Sequence, residues 1–295
     1  TSLFLSGKSL EALRSRAQME LKKVEEWFRA NKMQLNSKKT RFVIFNLTRA
    51  KRGEIFEIKL DGENLIRVSE LADEKFVRLV GVLLDEELSF KYHVTQVKAK
   101  LSRINFVIAR SRSVLPLNIR LLIYNSLVKS VLEFACVIYG SARDSVVGVL
   151  ETVQKKIIRN VKGVRSLTHT NDIFLELGVL KFKDMVKFKV RIMGFGIWHK
   201  LLPENFMSDF EQMTKIGRET RAMNNKNLKV PFCGKRWLEV APCLTVPIAW
   251  NSLDTEVKAH EKLGVFKKHL RKKYFEKYEN EPKCTRLGCY SCTRS

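Results

Sequence analysis

The sequence predicts an α+β fold, with antiparallel strands and one helix in residues 1–90 and a mostly helical remainder. Three observations carry this. Asp61-Gly62 stands between the apolar runs Ile55–Leu60 and Leu65–Val68, a strong hairpin signal. Leu10, Leu13, Ala17, Leu21, Val24 and Phe28 recur at spacings of three and four, which places them on one helix face. From Lys91 onward the apolar period is helical and stays so.

In order, Thr1–Leu5 reads as a short strand, Gly7 as a turn and Ser9 as the N-cap of the first helix. Asn31–Lys38 ends that helix, and Arg41–Phe45 is a buried strand by its apolar run. After the Asp61-Gly62 hairpin, Phe76–Leu84 forms a further strand of the same group. Val94, Val97, Leu101, Ile104 and Ile108 then line one face of a helix. Pro116 opens the next, which runs to about Tyr139. A third covers roughly Asp144–Val161, Lys162–Asn171 is a polar loop, and Met185–Lys200 is helical. Residues 203–247 have weak periodicity and hold most of the prolines, and a last helix runs from Glu256 to Tyr278.

At 295 residues with 45% apolar content the chain has material for a real core, which argues against wholesale disorder. Its charge is unusual: 55 Lys and Arg against 31 acidic residues give a formal net charge of +24. Such a field favours polyanions, nucleic acid first and an anionic membrane surface second, the alternative being a merely basic soluble protein. Leu117–Tyr139 is the most apolar long window, but Arg120, Lys129 and Glu133 make it a buried helix rather than a membrane span. Six cysteines form no dense disulfide framework, and no signal peptide opens the chain, so an intracellular setting is expected, nucleus and cytoplasm being equally open. Cys136 reads as a small core residue. Cys284, Cys289 and Cys292 have zinc-like spacing but make only three ligands, with His269 distant, so no metal ligand is assigned.

No acidic residue occurs from Lys91 to Leu132, while Lys91, Lys98, Lys100, Arg103, Arg110, Arg112, Arg120 and Lys129 do. A helix that buries its apolar line leaves such cations on its other sides, where they suit a phosphate backbone. A second cluster, Lys155, Lys156, Arg159, Lys162 and Arg165, is of the same kind. The residues expected to contact nucleic acid are Lys98, Lys100, Arg103, Arg110, Arg112, Arg120, Lys155, Lys156 and Arg159.

The ordered set Trp27-Phe28, Asn31, Leu35-Asn36 and Lys39-Thr40 resembles the palm segment just past the catalytic aspartates in LINE-type (non-LTR, jockey-like) retrotransposon reverse transcriptases. Thr1–Leu5 looks like the strand leaving their Ala-Asp-Asp box. Val80-Gly81-Val82, Asp85, Leu88, Phe90 and His93 are similar to the next family block. Leu115-Pro116, Tyr124, Gln154-Lys155-Lys156, Arg159, His169-Thr170 and Trp250-Asn251 follow in the family's order. Departures stand at Val80, Tyr139 and Asp254, where the family usually has Leu, Trp and Pro, as in a diverged copy.

The resemblance implies the C-terminal part of a palm in 1–90, a helical thumb-like region gripping nucleic acid in 91–165 and a helical extension in 166–295. It implies RNA and an RNA–DNA duplex as partners; no membrane partner is expected. Val80, Gly81 and Val82 resemble a primer grip. Lys39 matches a palm lysine able to protonate departing pyrophosphate, or else is a solvated turn lysine. Asn31, Asn36 and Trp27 are expected to cap the turn and fill the core. The family's Mg-binding carboxylates precede Thr1, so the chain alone is expected to need no cofactor and not to polymerise. Among local acids, Asp85-Glu86-Glu87 reads as a solvated turn. The alternative is a non-enzymatic basic nucleic-acid-binding protein.

Overall fold

The computed structural model describes residues 2–45, 56–69, 72–213, 226–232 and 241–281. They fall into two compact units, Thr1–Tyr92 and His93–Ser295.

In the first unit, α1 spans Leu10–Ala30, and the Ser9 hydroxyl accepts the Ala12 N–H at 3.1 Å as the expected cap. Leu10, Leu13, Ala17 and Leu21 pack on a small core of Ile44, Phe56, Ile58, Leu60 and Leu65. One exposed residue fixes the docking. The Gln18 amide donates to the Lys59 carbonyl (2.8 Å) and accepts the Lys59 N–H (3.0 Å), standing in for a neighbouring strand. Strand β2 (Lys59–Leu60) pairs antiparallel with β3 (Glu63–Asn64) across Asp61 and Gly62, whose φ of 51° and 81° make the tight hairpin turn the sequence predicts.

Three of the strand expectations fail in this unit. Residues 2–5 join no strand, and Leu3 and Phe4 are exposed. The sheets are not all antiparallel: β1 (Arg41–Val43) runs parallel to β4 (Ile66–Val68), because the β2–β3 hairpin between them returns the chain in its original direction. Phe76–Leu84 is not one strand but a hairpin of β5 (Val77–Leu79) and β6 (Val82–Leu84), turned at Val80 (φ 45°) and Gly81 (φ 87°).

The second unit is helical. Helix α2 spans Lys91–Arg110. Pro116 caps α3 (Leu117–Ile123), which continues through a π-helical stretch, Tyr124–Lys129, into α4 (Ser130–Glu133). The predicted run to Tyr139 is broken at Ala135 (φ 52°), where the chain turns before α5 (Cys136–Tyr139). The Tyr139 hydroxyl closes this corner on the Leu132 carbonyl at 2.8 Å. Cys136 is buried as expected, and burial pushes its thiol up to about 11. Helix α6 (Asp144–Lys162) stops at Gly163, in the left-handed conformation that favours glycine. There follow α7 (Asn171–Glu176), α8 (Phe182–Trp198), α9 (Glu204–Met207), α10 (Pro242–Asn251), α11 (Thr255–Lys258) and α12 (Leu263–Asn280). The predicted final helix is thus two helices, separated by residues 259–262.

Buried polar side chains fix how these helices meet. Gln154, fully buried, donates to the Tyr124 hydroxyl and the Leu180 carbonyl (both 2.9 Å) and accepts the Phe182 N–H (2.7 Å), tying α6 to the π-helical stretch after α3 and to the start of α8. The Tyr278 hydroxyl donates to the buried Asp184 carboxylate (2.8 Å) and accepts the Lys181 N–H (3.0 Å), seating α12 on α8.

His93 is buried edge-on to the Tyr139 ring, 4.8 Å between centroids. Burial holds its imidazole below the ordinary histidine value, and also that of His199. A depressed folded pKa means the unfolded chain takes up the proton first, so stability falls as pH drops below about 6.5 and is insensitive to these groups above it. Thermal unfolding at pH 7.5 and 5.5 should show a lower midpoint in acid, with the difference reduced in His93→Asn.

Candidate nucleic-acid interface

Helix α2 buries His93, Val94, Val97, Leu101 and Ile108, while Lys98, Lys100, Arg103 and Arg110 stand in solvent. Arg103 and Arg110, seven residues apart, share one line of the helix, with Lys100 a turn before Arg103 and Lys98 on the opposite flank. None of these four makes an ion pair among the described residues. Arg112, just past the helix end, is exposed as well. Arg110 lies 5.4 Å over the Phe106 ring, itself exposed.

The second cluster divides. Lys156 is exposed, but Arg120, Lys155 and Arg159 are buried, so the expected backbone contact by these three is not available at the surface. For Lys155 and Arg159 the cause is the width of the inward face of α6, which takes them below solvent together with Val153, Gln154, Ile157, Ile158 and Val161 and leaves Lys156 outside. Arg120 is buried on α3. Each buried cation has a structural partner. Arg120 donates to the Asn160 carbonyl (3.1 Å) and underlies Gly163, where a Cβ would come within 3.2 Å of its guanidinium. Lys155 pairs with Glu151 at 3.5 Å, and burial pulls its pKa down. Arg159 holds the Thr168 carbonyl at 2.7 Å and with it the loop after α6, and burial lowers its pKa too.

Between the end of α2, α6 and that loop lies a cleft of about 760 Å³. Arg112, Lys156 and Arg159 line it, together with Asn105, Asn160, Val164 and Leu167. Among the described residues no carboxylate does. The Asn160 amide donates to Asn105 Oδ1 at 2.8 Å, and Arg112 reaches Asn160 Oδ1 and the Val164 carbonyl only at 3.4 Å each. Arg159 Nη2 is buried without a hydrogen-bond partner among the described residues.

In the first unit, Val80 and Gly81 form the tip of the β5–β6 hairpin, and Val82 is buried behind it. Val80 is 84% exposed and sits at positive φ, costly for a β-branched residue. The three residues expected to act as one strand are therefore an exposed tip and a core anchor. Lys39 ends a 3₁₀ turn, Ser37–Lys39; its N–H is capped by Asn36 Oδ1 at 3.0 Å, and its side chain is exposed. Asn31 caps the end of α1 on the Trp27 carbonyl at 2.8 Å, as expected. Trp27 does not fill the core: it is 56% exposed, edge-on to Phe28.

The turn after β6 is solvated only in part: Glu87 is exposed, but Asp85 and Glu86 are buried. Asp85 is buried and accepts from the N–H groups of Glu87 (3.1 Å), Ser89 (2.9 Å) and Phe90 (3.0 Å) and from the Ser89 hydroxyl (3.0 Å). With its oxygens taken by four donors, this carboxylate does not fit a magnesium site. No group of three or more His, Cys, Asp or Glu side chains is placed to hold a metal among the described residues. Cys284, Cys289 and Cys292 lie outside the described residues. No described helix is long and apolar enough to cross a membrane.

The chain is 28% identical over 192 residues to the RNA-directed DNA polymerase from the mobile element jockey of Drosophila melanogaster, 63% of this chain and 20% of that protein. It is 29% identical over 158 residues to the probable RNA-directed DNA polymerase from transposon X-element of the same fly, 51% of this chain and 16% of that one. The jockey polymerase of Drosophila funebris matches over 114 residues at 28% identity, 37% of this chain and 12% of that protein. The chain is related to the reverse transcriptases of LINE-type mobile elements. It spans a fifth or less of the length of each of these relatives. No family profile and no solved structure matches it.

Most residues that carry the likeness to LINE-type enzymes are scaffolding. Asn36 and Asp85 each cap a turn, and Tyr124 and Gln154 bond to each other in the core. Trp250 donates its indole N–H to the Lys226 carbonyl at 2.8 Å. Asn251 brackets Leu228, accepting its N–H (2.9 Å) and donating to its carbonyl (2.8 Å). The cleft residues Asn105, Asn160 and Leu167 are not marked by the sequence, because their only signal is being polar or apolar beside cations that are distant in the chain.

Proposed function

We propose that this chain is the part of a LINE-type reverse transcriptase that holds the primer–template duplex, an RNA–DNA hybrid bound through its phosphates. The first unit then corresponds to the C-terminal part of the palm, and the second to the thumb and the extension beyond it. The observation that carries this reading is the set of exposed cations without acidic partners among the described residues, Lys98, Lys100, Arg103, Arg110, Arg112 and Lys156. In the same reading Val80 and Gly81 present backbone to the primer, and Lys39, exposed on its turn, is the proton donor to departing pyrophosphate. The two-metal chemistry of such a polymerase would be supplied by carboxylates in the part of the relatives outside the match, since Asp85 is committed to its turn.

Six phosphate contacts give a slope of log affinity on log salt of about −5, or about a thousand-fold loss between 50 and 200 mM salt. Fluorescence anisotropy with a labelled RNA–DNA hybrid across that range measures it. A slope near zero, or equal affinity for polyglutamate, would exclude the reading. With magnesium and a primed RNA template, this chain alone is expected to extend no primer.

A further inference from the structure

The cleft beside α6 is more than an extension of the charged surface. A duplex backbone needs exposed cations on a convex or shallow face, which α2 supplies, whereas this recess combines charge with depth, amides and an apolar wall. Arg112 and Lys156 are accessible donors at its edge, and Arg159 is a guanidinium set behind them. Among the described residues Arg159 Nη2 has no hydrogen-bond partner and no carboxylate pairs with any of the three. A buried guanidinium with no counter-charge is costly, and a bound anion in the recess offsets that cost. Arg112 is held by two long bonds of 3.4 Å, weak enough to exchange for a phosphate oxygen.

The rest of the wall fits the remainder of a nucleotide. Leu167, on the loop that Arg159 anchors, is 60% exposed, and Val164 is beside it, so an apolar surface stands open to solvent next to the cations. Asn105 spends its carbonyl oxygen on Asn160, and its Nδ2 donates no hydrogen bond among the described residues. A volume of about 760 Å³ is within the range of small-ligand sites. A paired base is not available to such a recess. An unpaired one is, at little unstacking cost.

We infer that this cleft takes one unpaired nucleotide of the bound strand, its phosphate on Arg112 and Lys156 with Arg159 behind them, and its base against Leu167 and Val164 within reach of the Asn105 amide. The inference rests on the reading that this unit binds nucleic acid, but it assigns a different feature of the ligand. The test compares a blunt RNA–DNA hybrid with the same hybrid carrying one bulged RNA nucleotide, by anisotropy at fixed salt. The bulged hybrid is expected to bind about tenfold tighter. Leu167→Ala and Asn105→Leu, neither of which removes a charge, should erase that difference while leaving affinity for the blunt hybrid within about twofold. Adenosine monophosphate should compete for the bulged hybrid better than inorganic phosphate does. Equal affinity for the two hybrids with a steep salt slope on both would overturn the pocket and leave the duplex grip standing. Binding of neither hybrid would overturn both. Competition by inorganic phosphate as strong as by the monophosphate would overturn recognition of the base.

Discussion

Replacing Trp250 by Ala is expected to lower the stability of the second unit by about 3–5 kcal/mol, the cost of emptying a large aromatic site in a packed core. Trp250 is fully buried, with Trp198 at 6.3 Å and Phe266 at 6.0 Å between ring centroids. Its backbone comes so near α8 that a Cβ at Gly194 would meet Trp250 Cβ at 2.9 Å, which leaves little room for collapse into the void. The indole N–H also holds the segment around Lys226, and buried Lys258 reaches Asn227 Oδ1 (2.8 Å) and the Asn251 carbonyl (3.1 Å) in the same knot. Trp250→Phe keeps most of the apolar volume and loses only that donor, so about 1–2 kcal/mol is expected. Urea denaturation followed by circular dichroism measures both. An unchanged midpoint in Trp250→Ala would contradict the α8–α10 packing described above. Gly194→Val tests the same contact from the other side and should destabilise without altering Trp250.

That this core was hard to read in the sequence has a physical cause. Pro242–Asn251 is apolar on nearly every side and carries Pro at its first position and again at Pro247, so it offers neither a helical period nor the composition of a helix. Its helicity comes from burial against α8. The opposite holds for α1, α2 and α6, each of which buries a single side and so keeps a clear apolar period. Asp61-Gly62 was legible because two successive positive φ values favour those residue types, whereas Val80-Gly81 makes the same kind of turn with a β-branched residue that reads as strand. The parallel pairing of β1 with β4 depends on the whole path between them and leaves no local mark.

For the interface, sequence separates cations from acids but not exposed cations from buried ones. Arg120 and Arg159 resemble Arg103 and Arg112 in every local respect, yet they serve backbone carbonyls of Asn160 and Thr168. A long flexible side chain between two apolar neighbours can extend to solvent or fold inward, and only the packing of α6 decides. The same ambiguity made Asp85 read as a solvated acid, although its four donors lie within five residues and its role is local.

Neutralising α2 separates these two kinds of cation by experiment. The quadruple variant Lys98→Gln, Lys100→Gln, Arg103→Gln and Arg110→Gln removes four exposed charges that touch nothing in the core. Two of the six proposed phosphate contacts then remain, Arg112 and Lys156, and the salt slope should fall from about −5 to about −2. The loss of affinity between 50 and 200 mM salt becomes about tenfold instead of about a thousand-fold. Folding should be unaffected, because Gln is a good helix former at exposed positions. Arg120→Gln makes the converse change. It takes away a buried donor from the Asn160 carbonyl and should cost about 1–3 kcal/mol in stability. Its salt slope should match that of the unaltered chain. If instead Arg120→Gln flattened the slope and the quadruple variant did not, the duplex would be held through the α6 side of the unit, and the grip assigned to α2 would be wrong.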